Sequence, residues 1–158
     1  MVLRVKNMRY VPCIILSFTI AACSFASESI TDEATLLSEK LYLATQDGQC
    51  ILKHNSSIIP LTPKPPCFFL RNSDKNPQYF TYNDVNTDAV LIVTGTPVTD
   101  EIRKDWELPK NSVCGTDSQG VLIKTGKVSV TKSTLEGGVL CKDSGSDEKN
   151  FWYFAHNE

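Results

Sequence analysis

The chain holds two histidines, His54 and His156, the residue type that most often moves protons in hydrolysis. A Ser–His–acid site needs one of them held between a nucleophile and a carboxylate. His54 lies beside Asn55-Ser56-Ser57 in a predicted loop, and His156 is third from the C-terminus. No GxSxG elbow and no HExxH motif accompanies either. Both therefore read as solvated or internally satisfied surface histidines. The carboxylate pairs Asp100-Glu101 and Asp147-Glu148 are the residue type that cleaves glycosidic bonds from two walls of a cleft. Each pair falls in a predicted first helical turn, where acids stabilise the helix dipole, and that role accounts for them. Asp143, Ser144, Ser146, Asp147 and Glu148 offer oxygen ligands of the kind calcium takes, without the offsets and central glycine of an EF-hand loop. No glycine-rich phosphate loop follows a predicted strand. Asn55-Ser56-Ser57 fits the glycosylation sequon, which matters only in a eukaryotic host. These residue types point to no catalytic or metal site, and no cofactor is expected.

Six cysteines remain, and which of them pair depends on the N-terminus. Arg4, Lys6 and Arg9 are the only charged side chains before Glu28. An apolar run from Val11 to Ala22 follows, broken by Pro12, Ser17 and Thr19. A positive start, a short apolar middle and a small-residue end are the three parts of a secretory signal. The run is too short to span a bilayer, which needs about 20 apolar residues. Pro12 and the one-sided charge argue against a core helix. Ser24-Phe25-Ala26 offers small residues at the two positions a signal peptidase reads.

A second processing route is visible at the same place. Ile20-Ala21-Ala22-Cys23 resembles the lipobox of bacterial lipoproteins and sits at the correct end of the apolar run. That resemblance implies that Cys23 is lipidated at its sulfur and becomes the mature N-terminus. Ser24 beside it implies sorting to the outer membrane. The signal is then residues 1–22, or 1–26 if cleavage is plainly secretory. Either route removes Cys13 and sets Cys23 apart. Cys50, Cys67, Cys114 and Cys141 are left, an even number in an exported chain, so two disulfides are expected. Of the three possible pairings we take Cys50–Cys67 and Cys114–Cys141, because near neighbours close with least topological demand. Such loops stabilise by roughly 3 kcal/mol each on the chain-entropy account. No CxxC suggests redox chemistry, and scattered cysteines in an oxidising compartment are poor zinc ligands.

Without the signal, 13 basic residues face 18 acidic ones, a net charge of −5. That balance gives no footprint for nucleic acid and no polybasic membrane-binding face. About 130 residues suffice for one domain with one core. Residues 23–39 are polar and acidic and are expected to form a tether with some helix at its end. A single disulfide-stapled domain is expected over 40–158.

The elements that would position these residues are mostly strands. KLYLAT and QCILK flank Asp47-Gly48, a hairpin signal. IIPLTPKPPCFFLR holds four of the eight prolines and reads as extended edge structure leading into a strand at 67–71. QYFTY is a further strand. DAVLIVT, residues 88–94, is the most apolar stretch and reads as a central buried strand. Thr99 is a candidate N-cap for a helix over 100–106, which Pro109 stops. Residues 121–131 form a second hairpin around Thr125-Gly126, and LEGGVLC a short strand ending at Cys141. Ser146 is a candidate N-cap for a helix over 147–155. The expected fold is all-β or α+β: a mostly antiparallel sheet or barrel of about seven short strands with two short helices and two disulfides.

Two aromatic runs stand out as candidate partner-binding surfaces. Phe68 and Phe69 on one strand face opposite sides, so one must leave the core unless both faces are covered. Phe151 and Phe154 share a helix face, which turns Trp152 and Tyr153 elsewhere. Aromatic residues dominate interface hot spots. A small stapled domain without a catalytic constellation suits a non-enzymatic binding module of the cell envelope. The expectation is an inhibitor or immunity-type protein acting on a periplasmic or secreted enzyme or toxin. Its partner is a protein, and its membrane contact is a lipid on Cys23 at the outer membrane; the alternative is a soluble periplasmic or secreted form. A structural lipoprotein of an envelope complex, and an envelope hydrolase with an unrecognised site, are the other readings.

Overall fold

The structure, a computed structural model, describes residues 28–158. The expected signal and Cys23 lie outside the described residues. Ten strands and two α-helices are present among the described residues. A four-stranded antiparallel sheet takes β1 (Ser29–Leu36), β2 (Glu39–Gln46), β3 (Gln49–His54) and β4 (Ser57–Pro60) in sequence order. A six-stranded antiparallel sheet is built on β7 (Thr87–Pro97) and β8 (Cys114–Lys124), which pair along most of their length. The other edge of β7 takes β5 (Phe68–Phe69) and β6 (Tyr79–Tyr82). The other edge of β8 takes β9 (Lys127–Leu135) and β10 (Leu140–Cys141). Neither sheet closes into a barrel. Helix α1 (Asp100–Asp105) follows β7, and α2 (Glu148–His156) ends the fold.

The expected tether is corrected by β1. Residues 29–36 pair with β2 over seven positions, with a bulge between Ile30 and Asp32. Its inward-facing positions, Asp32 and Ala34, are an acid and a small residue, so no apolar alternation marked the strand. The strand count also exceeds the expected seven: β1 stands where a tether was expected, and β4 forms in the stretch read as extended edge structure. The hairpins are where turn chemistry put them. Asp47 and Gly48 have φ of +51° and +75°, the pair of positive values that a two-residue turn between twisted strands requires. The 88–94 stretch forms the middle of β7, with Ala89 to Val93 each fully buried. Thr99 caps α1 by accepting from the Ile102 amide at 3.3 Å. The cap of α2 is Asp147, one residue later than expected, accepting from Lys149 N at 3.0 Å.

The layers explain the two phenylalanines. Between the sheets lies one apolar cluster, with Leu41, Leu43 and Leu52 meeting Phe69, Leu91, Val93, Val121 and Ile123. On the far face of the six-stranded sheet, α2 covers a second cluster of Phe68, Leu70, Val90, Ile92 and Leu122 with Phe151 and Phe154. Both faces of β5 are therefore covered, and Phe68 and Phe69 are both buried. This corrects their expected role: neither is open to a partner.

Two disulfides staple these layers, Cys50–Cys67 and Cys114–Cys141. The first joins β3 to the segment entering β5, hence one sheet to the other. The second joins the register partners of β8 and β10. Both agree with an oxidising, extracytoplasmic setting. Beside the first disulfide, a polar tie joins the sheets. Asp32 accepts from Phe69 N at 2.9 Å and pairs with Arg71 at 2.8 Å and Lys142 at 3.1 Å, its own side chain 6 % exposed.

Candidate functional site

Helix α2 carries the most organised surface feature of the molecule. Its start is fixed before its first turn: Gln78 receives a bond from Ser146 N at 2.8 Å and donates to Ser146 O at 2.9 Å. The helix then lays Phe151, Phe154 and Ala155 into the second core cluster. Gly120 of β8 lets it lie close. A Cβ there would stand 2.7 Å from Phe154 Cβ and 2.9 Å from Thr131 Cγ2.

Burying that stripe turns Trp152 outward, and its residue surface is 51 % exposed. It is nevertheless held. Residues four apart share a helix face. The His156 ring accordingly stacks on the indole, with centroids 4.2 Å apart and planes at 18°. The imidazole is clamped at both nitrogens. Nδ1 donates to Trp152 O at 2.8 Å, and Nε2 meets Asp84 Oδ2 at 2.8 Å. Asp84 comes from the single 3-10 turn, Asn83–Val85, before β7. Tyr82 sets its ring edge-on to His156 at 5.7 Å and donates through its hydroxyl to Glu148 O at 3.3 Å.

The electrostatics follow from those contacts. The hydrogen bond to Asp84, followed by the bond to Trp152 O, raises the His156 pKa above its ordinary 6.5. The same bond lowers the Asp84 carboxyl below its ordinary 3.8. Burial, with Glu148 and Asp84 adding to it, pushes the Tyr82 hydroxyl up to about 12. When protonated, the His156 ring is a cation against an indole face. Both of its nitrogens are engaged, and neither is free to take a proton from a nucleophile. The Asp84 side chain remains 66 % exposed, which leaves carboxylate surface open to a cation from outside.

The expected site residues fall out unevenly. Trp152 is exposed and braced. Tyr153 is half-buried, edge-on to Phe154 at 5.4 Å, so part of its ring belongs to the core. His54, expected in a loop, is instead the buried last residue of β3, and faces Glu39 at 2.5 Å and Asn55 at 3.1 Å, both through Nε2. Asp100 and Glu101 sit in the first turn of α1, as Glu148 does in α2. No grouping of three His, Cys, Asp or Glu side chains suited to a metal occurs among the described residues. No described helix is long and apolar enough to cross a membrane. Asp84 and Tyr82 escaped the sequence reading, because Asp84 lies 72 residues from His156 and no local pattern couples them. Trp106, 60 % exposed beside α1, was given no role either, and it stands without a comparable brace. No protein-family model matches this chain, nor does any curated protein or solved structure.

Proposed function

We propose that this protein is a small exported binding module of the cell envelope, an inhibitor or immunity-type protein that blocks a periplasmic or secreted enzyme or toxin. A lipid on Cys23 holds it at the outer membrane. The observation that carries the reading is Trp152, half-exposed and yet fixed by the stacked, doubly bonded His156. An indole ordered before the partner arrives loses little side-chain freedom on binding. Exposed tryptophans so placed are hot-spot residues, and their truncation typically costs 2 kcal/mol or more of binding energy (about 30-fold in affinity). The neighbouring Asp84 carboxylate favours a partner with a basic side chain at the rim. Two disulfides on a two-sheet scaffold supply the rigidity such a module needs outside the cytoplasm.

The test is capture with the oxidised domain, starting at Glu28, as bait against an envelope and secreted fraction. A stoichiometric partner, retained by wild type and lost by Trp152→Ala with its circular dichroism intact, is expected. That partner's enzymatic or toxic activity should fall on binding. Recovery of no partner overturns the reading. So does a cell-wall or lipid hydrolysis by the protein itself that vanishes in His54→Ala or Asp147→Ala.

A further inference from the structure

The outward face of the four-stranded sheet is covered by neither the second sheet nor α2, and it is partly open: Ile30, Lys40, Tyr42, Lys53 and Ile58 stand on it, with the buried Ala44 and Ile51 between them. Alternation along β2 and β3 sends Leu41, Leu43, Cys50 and Leu52 inward. Tyr42, Lys40 and Lys53 therefore point out. Register aligns Glu33, Tyr42, Lys53 and Ile58 in one row, and Ile30 with Ala44 and Ile51 in the next. Ile30 and Ile58 are 64 % and 55 % exposed. Ile30, Lys40, Tyr42 and Lys53, with Asn55, line a shallow cavity of about 400 Å³. Aliphatic tips, a tyrosine and lysines on one plane are the residue types that settle at the boundary of lipid tails and headgroups.

The chain enters the fold over this face. Glu28, the first described residue, reaches Lys53 across it at 2.7 Å. Cys23 precedes Glu28 by five residues, which span at most about 18 Å however they run. Charge agrees with the direction. Glu28 and Glu33 balance Lys40 and Lys53 on this face, whereas residues 28–158 together carry −5. The acid excess therefore lies elsewhere, and this face presents no net negative charge for an anionic bilayer to repel.

From the anchor distance and the composition of this face we infer that the outward side of the β1–β4 sheet lies on the membrane, its residues at the phospholipid headgroup layer. The inference rests on lipidation of Cys23. It also fixes what the far side does: α2, with Trp152, is two sheets away from the bilayer and faces the aqueous compartment, where a soluble partner arrives.

The test uses the full-length chain processed in a bacterial host, purified with its acyl chains and placed in vesicles of phosphatidylethanolamine and phosphatidylglycerol at three to one. Single variants Ile58→Cys, Ile30→Cys and Trp152→Cys carry a nitroxide label, all at exposed positions, and circular dichroism matching wild type qualifies each one. Collision with oxygen, which partitions into lipid, is compared with collision with a water-soluble nickel chelate. The oxygen-to-nickel ratio is expected to be several-fold higher at positions 58 and 30 than at 152. Equal ratios at all three, in protein whose intact mass shows acyl chains, overturn the orientation while leaving the anchor standing. A mass without acyl chains overturns the anchor, and the orientation with it.

Discussion

Asp32 brings one carboxylate to four partners: the Phe69 amide at 2.9 Å, Arg71 at 2.8 Å, Lys142 at 3.1 Å and the Glu33 amide at 2.9 Å. Removing one member of such a buried group leaves the others desolvated and unpaired, which costs on the order of 3 kcal/mol. Asp32→Asn keeps an acceptor for Phe69 N but loses the charge and turns an NH2 toward the donors of Arg71, Lys142 and Glu33 N. Asp32→Ala also orphans that amide, so urea unfolding of the two variants is expected to rank wild type, Asn, Ala in falling stability. His156 and Asp84 form the pH-sensitive contact. The His156 pKa is raised on folding, so its contribution is complete below 6.5 and is lost as pH climbs through the raised value. The Asp84 pKa is lowered, so its contribution is complete above 3.8 and is lost as pH falls through the lowered value. The contact is therefore intact between those two ordinary values. The gap in melting temperature between wild type and His156→Gln is expected to be widest there and to narrow on the alkaline side. A titration of the His156 ring protons by NMR should give a midpoint above 6.5; a midpoint below it would contradict the clamp.

Among the elements, α2 depends most on a single neighbour. Gly120 sits where a methyl group would meet Phe154 Cβ at 2.7 Å and Phe154 Cγ at 2.8 Å. Gly120→Ala must push the helix off the sheet or distort β8, at a cost of about 1–3 kcal/mol typical of overpacking. It is expected to loosen Trp152 and weaken partner binding without touching a surface residue, and α2 amides should lose hydrogen-exchange protection ahead of those in β7. Much at this scale was legible in advance. Asp47-Gly48 and Thr125-Gly126 located their hairpins, Thr99 its helix, and the apolar 88–94 run the strand buried on both faces. What local pattern failed to reveal has one physical cause. β1 turns Asp32 inward, and the carboxylate is tolerable there only because Arg71 and Lys142 arrive from 39 and more residues away. Tertiary partners make that strand, and a window of eight residues does not contain them.

For the whole molecule, the layer order decides what a surface residue can do. Phe68 and Phe69 looked like a choice between core and surface, and became core because a sheet covers one side and a helix the other. Trp152 was legible as an aromatic left off the buried helix stripe, whereas its brace was not, since Asp84 stands 72 residues before the His156 it holds. The disulfide pairs followed from counting and proximity once the N-terminal cysteines were set aside. The same layering governs how the fold bears load. A pull applied at Glu28 enters through β1, an edge strand with a single ladder partner, which on its own would peel from β2 rung by rung. Only three residues in, the force meets Thr31, bonded to Cys67 O at 2.8 Å, and then Asp32, bolted to the other sheet. Tension is thus handed across the sandwich before the hairpin can unzip, and the mechanical strength of the fold resides in a carboxylate and a hydroxyl near its entrance.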